Sequence, residues 1–104
     1  MILKEDINKK IQNDFGIDSN KAIEILNHAV EKTDYLNTDR IIRCIVFESK
    51  GNLNDLQKNI ITATNDPRDI MLWAEYEKLS DDFNYKRIRD FNNTFEESTI
   101  NMSE

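Results

Sequence analysis

The sequence predicts an all-α fold, a compact bundle or stacked helical hairpins of five to six short antiparallel helices. Three observations carry that expectation. Apolar residues recur at three- and four-residue spacing along most of the chain. Two glycines and one proline punctuate 104 residues, too few for a sheet protein joined by tight turns. Polar stretches of about two to six residues separate the periodic segments, a usual length for connections between antiparallel neighbours. Residues 1–95 read as a single helical domain, and the polar run 96–104 as a disordered C-terminal tail.

Ile7, Ile11 and Phe15 repeat every four residues and Gly16 follows where a left-handed stop is favoured, so a first helix is predicted over 4–15. Ser19 is a candidate cap for a second helix running to Asp34 or Leu36. There Ala22, Ile23, Leu26, Ala29 and Val30 share one arc and Ile25 sits at its edge.

The run from Ile41 to Phe47 has strand-like β-branched residues, yet no other segment offers a strand to pair with it, and unpaired buried backbone is costly. Asn37 or Thr38 supplies a helix start, and Lys50 and Gly51 supply a last-turn cation and a stop. On a helix this run is apolar nearly all round, which predicts a central third helix. Arg43 interrupts it and is predicted as a structural buried charge. It must snorkel to water or find a carboxylate, for which the acidic fifth helix is a candidate source.

Asn52 and Asp55 form a capping arrangement for a fourth helix with the stripe Leu53, Leu56, Ile60 and Ala63. Asp66-Pro67 opens a fifth helix predicted over 67–79, since proline at the first helical position forfeits no helical bond. Tyr85, Ile88, Phe91 and Phe95 then predict a sixth over 82–95.

Function is bounded chiefly by charge and by absent motifs. A formal charge of -6 disfavours nucleic acid as the main partner, because that binding rests on cations displacing counterions. No apolar run reaches the roughly 18 residues of a membrane span, and the charged start lacks a signal-peptide core, so the expected location is cytoplasmic, away from membranes. Cys44 is the only cysteine and His28 the only histidine. A zinc cluster or a His-based catalytic arrangement therefore has no supporting partner residues, and His28 falls among Lys21, Glu24, Glu31 and Lys32 on the polar side of its helix. The "DFG" of Asp14–Gly16 lacks every companion motif of a kinase. No cofactor, metal site or catalytic residue is predicted.

The densest chemistry lies in "DPRDIMLWAEYEKLSDD", where Asp66, Asp69, Glu75, Glu77, Asp81 and Asp82 outnumber Arg68 and Lys78 and surround Trp73 and Tyr76. Aromatic anchors beside carboxylates suit a surface that binds a basic protein. The expected function is a small, acidic, bacterial-type protein-binding module without enzymatic activity. It would mask a basic partner in the manner of an immunity protein or antitoxin, with Asp66, Asp69, Trp73, Glu75, Tyr76 and Glu77 as the partner-binding residues. A homo-oligomeric structural or adaptor protein, such as a homodimer, is the alternative, followed by a carboxylate- and metal-dependent enzyme using Asp66, Asp69 and Asp82. The basic stretch Lys86, Arg87 and Arg89 is expected to pair with the acidic segment, within one molecule or between two copies.

Overall fold

A computed structural model describes residues 3–78 and 85–100. Helix α1 (Glu5–Phe15) buries Ile7, Ile11 and Phe15 as one stripe and stops at Gly16, whose φ is 53°. A single 3-10 turn, Gly16–Asp18, leads into α2 (Ser19–Lys32), which buries Ala22, Leu26 and Val30. Ser19 is not the expected cap. It is the first residue of α2 and is buried, and its Oγ donates to the carbonyl of Gly16 at 2.6 Å with the Ile11 carbonyl also in range at 3.2 Å, fastening the α1–α2 corner. Helix α2 ends at Lys32, and a second 3-10 turn, Asp34–Leu36, inserts Leu36 into the core.

Helix α3 (Asp39–Ser49) is the predicted central helix. Ile41, Ile42, Arg43, Cys44, Ile45 and Val46 are all buried, and α3 packs against α1, α4 and α5. It stops at Lys50, whose φ of 49° is left-handed, and Gly51 continues the turn at φ 77°. Only glycine fits this second position, because a Cβ there would overlap the backbone carbonyl of Asp14 at the end of α1. Helix α4 (Leu53–Asn65) begins where Asn52 accepts the Asp55 N–H at 3.0 Å, and α5 (Pro67–Glu75) begins where Asp66 accepts the Arg68 N–H at 3.0 Å. Both starts are therefore side-chain caps of the expected kind.

The all-α expectation fails after Glu75. Strand β1 (Tyr76–Lys78) pairs antiparallel with β2 (Tyr85–Arg87), with Tyr76 opposite Arg87, Glu77 opposite Lys86 and Lys78 opposite Tyr85. The fifth helix thus ends before its predicted limit at residue 79, and the described part of the predicted sixth helix is strand and turn. Local chemistry explains the change. Asp90 accepts from the Asn92 N–H through its side chain and from the Asn93 N–H through its carbonyl, forming a turn that competes with helix. Glu75 meanwhile takes the Phe91 N–H that a helix would have used, and its carbonyl takes the N–H groups of Ile88 and Arg89.

The chain does not become a disordered tail at Glu96. Ser98 is buried, Arg89 and Thr99 form an antiparallel bridge, and Ile100 donates to the Ile88 carbonyl. The expected tail residues 101–104 and the acidic residues Asp81 and Asp82 lie outside the described residues. The fold is mostly helical, with a small two-stranded sheet, and a Cα radius of gyration of 13.7 Å is near the roughly 13 Å of a compact 100-residue domain.

Candidate functional site

Two charge clusters inside the fold join residues 85–100 to the helices. Glu75 is 0% exposed although it closes α5, where a carboxylate meets the negative end of the helix dipole as well as the cost of burial. Cations and an amide offset both. Arg40 Nη2 donates to Oε1 at 2.6 Å and Nε to Oε2 at 3.1 Å, the Phe91 N–H donates to Oε2 at 2.8 Å, and Arg87 Nη2 lies 3.5 Å from Oε1. The hydrogen bond to Glu75 raises the Arg40 pKa further above its ordinary value, against the opposing effect of burial. Arg87 also pairs with Asp90 at 3.0 Å. Arg89 donates to the Ala74 carbonyl at 3.2 Å, capping the end of α5, while its guanidinium stacks 4.4 Å from the Phe47 ring centroid.

Arg43 is 5% exposed, and its partner is not the fifth helix. Asp6 in the first turn of α1 receives it in a fork, Nε to Oδ2 at 2.9 Å and Nη2 to Oδ1 at 3.0 Å, while Nη1 donates to the Phe91 carbonyl at 3.0 Å. Asp6 also accepts the Phe95 N–H at 3.1 Å. Burial pushes the Asp6 carboxyl up, but the Arg43 hydrogen bonds, the Phe95 N–H and the nearby positive charge outweigh it and hold the pKa below its ordinary value. Phe91, fully buried, is thus gripped by its N–H, its carbonyl and its ring, which packs 5.3 Å from the rings of Phe47 and Phe95.

These clusters rearrange the expected binding face. Glu75 was predicted to face a partner and is instead enclosed. Asp66 caps α5 and forms a fork with the exposed Arg68 at 3.1 Å. Glu77 is exposed but stands across β1–β2 from Lys86, and Tyr76 is half-buried in the same strand. Asp69 and Trp73 remain, both exposed and one turn apart on α5, with Trp73 54% exposed. Sequence reasoning missed Asp6, Arg40 and Phe91 as partners in the clusters. The turn-forming "DFNNT" from Asp90 to Thr94 was the signal that argued against a sixth helix.

A polar cleft of about 650 Å³ opens over the Asp6–Arg43 pair, with Lys4, Lys9, Glu5 and Asp39 on its walls. Glu96 and Glu97 complete its lining, so five carboxylates stand there against three cations. Burial, reinforced by Glu75, pushes the Cys44 thiol far above its ordinary pKa, which suppresses the reactive thiolate. Among the described residues no group of His, Cys, Asp and Glu side chains is arranged to hold a metal, and no helix is long and apolar enough to cross a membrane. In comparison with known proteins, no family model, curated sequence or solved structure matches this chain.

Proposed function

We propose that this chain is a non-enzymatic protein-binding module whose docking face is the outer side of α5, and that it covers a basic partner in the manner of an inhibitor. The exposure of Trp73 beside Asp69, on a helix whose opposite side is fixed by the enclosed Glu75, carries this reading. A tryptophan held on a rigid helix loses little conformational freedom on docking and offers a large apolar area, which is why such residues dominate binding energetics. The net charge of -6 speeds encounter with a basic surface. The cytoplasm is the proposed place of action, where a lone buried thiol stays reduced.

The test is recovery of the native partner with the intact chain, followed by titration of that purified partner. Trp73→Ala should weaken binding at least tenfold, Asp69→Asn should weaken it less, and raising the salt should weaken the unsubstituted complex. Binding unaffected by Trp73→Ala would sink the proposal. Loss of a concentration-dependent dimer in the same variant would show instead that a second copy occupies this face.

A further inference from the structure

On another part of the molecule, α2 and α4 enclose an open groove of about 670 Å³. Its apolar wall is Ile25, Ala29, Ile60 and Ile61, with Ile61 61% exposed, and its rim carries His28 and Lys32. No carboxylate is among its described lining residues, although acids outnumber bases twenty to fourteen in the whole chain. The groove continues along α2 through Ile25 and His28 into a smaller cleft reaching Lys21 and Glu24. From Lys21 to Lys32 the helix rises about 16 Å, the length of roughly three helical turns.

We infer that this groove docks one amphipathic α-helix of a partner protein, its apolar stripe against Ile25, Ala29, Ile60 and Ile61 and its acidic flank against Lys32. The walls argue for a helix. Both are α-helices whose backbone groups are already used, so neither offers the sheet edge to which an extended strand adds, whereas a helix brings its own backbone hydrogen bonds. The charge argues for an acidic flank at the Lys32 end, where a carboxylate meets Lys32 with no competing carboxylate on the lining of the main groove and Glu24 stands only in the adjoining cleft, whereas a basic helix meets Lys32 as a like charge. This surface and its partner chemistry are separate from those proposed for α5.

The probe is a 16-residue helical peptide with leucines at i, i+3, i+7 and i+10 and glutamates flanking that stripe, compared with the same peptide carrying lysines at the flanks. Titrated into the 15N-labelled full chain, the glutamate peptide should shift amides of 25–33 and 57–65 and bind at least tenfold tighter than the lysine peptide. Ile61→Asp, at a position exposed enough to leave folding intact, should reduce its binding at least tenfold. Lys32→Glu should reverse the preference between the peptides even if Ile61→Asp proves poorly folded, and Trp73→Ala should leave both affinities unchanged. Equal affinity for the two peptides, shifts confined to other surfaces, or sensitivity to Trp73→Ala would overturn the inference. So would a concentration-dependent dimer lost in Ile61→Asp, which would make a second copy the occupant.

Discussion

Helices α3 and α4 meet through enclosed aliphatic side chains such as Ile45, Val46, Leu56 and Ala63, while residues 85–100 meet the same core differently. In that segment the fully buried apolar side chain is Phe91, whose ring packs on Phe47 and Phe95 while charged groups hold its backbone N–H and carbonyl. Apolar burial is non-directional and tolerates repacking, whereas a buried ion pair is stable only with all its partners present. The two regions should therefore fail in different ways, the helices gradually with lost volume and the segment abruptly with a lost partner.

The sharpest separation should come from Glu75→Ala, which leaves the Phe91 N–H unpaired in the interior and strips the partly buried Arg40 and Arg87 of a shared carboxylate. A loss of about 3–5 kcal/mol is expected, read from the urea midpoint, with hydrogen exchange rising first at the amides of 88–100. A loss of protection spread evenly over α3 and α4 would break the comparison. Leu56→Ala should cost about 2–5 kcal/mol through transfer and cavity terms, with exchange rising across the helices instead.

Arg43→Ala and Arg43→Met both strand Asp6, but Met retains packing along the stem, so the Met variant should be the more stable by about 1 kcal/mol in the same urea titration. Acidification should sharpen the contrast further. Because the folded Asp6 pKa is depressed, its contribution is present above the ordinary value of 3.8 and is lost as the pH falls through the lower folded value. Exchange at the Phe95 amide should then accelerate in acid beyond its intrinsic pH dependence, and Asp6→Asn should abolish that excess. Trp73→Ala should change stability by no more than about 0.5 kcal/mol, since an exposed side chain away from caps and clusters contributes little. A larger loss in urea would mark Trp73 as a structural residue.

Much of the helical part was legible in the sequence, for identifiable reasons. The four-residue repeat of Ile7, Ile11 and Phe15, the Asn52 cap and the Asp66-Pro67 start are local signals, and each sits where the structure uses it. The same periodicity misled at Tyr85, Ile88, Phe91 and Phe95. Phe91 and Phe95 do pack against each other, but from an irregular chain fixed by Asp90, Glu75 and Asp6. For the expected binding face, composition located the aromatic and acidic residues on and just beyond α5 but could not tell the enclosed Glu75 from the exposed Asp69.

The sequence by itself determined the helical core, the central place of Ile41–Phe47 and the need of Arg43 for water or a partner, because periodicity, caps and the cost of burying charge act over a few residues. Only the tertiary structure decided which acid answers which arginine. Asp6 and Arg43 are 37 positions apart, as far apart as any local rule is blind, and Arg40 and Glu75 are 35. Such pairs form when packing brings distant groups to hydrogen-bonding range and removes the water that would otherwise solvate them, and that removal of water is set by the whole fold.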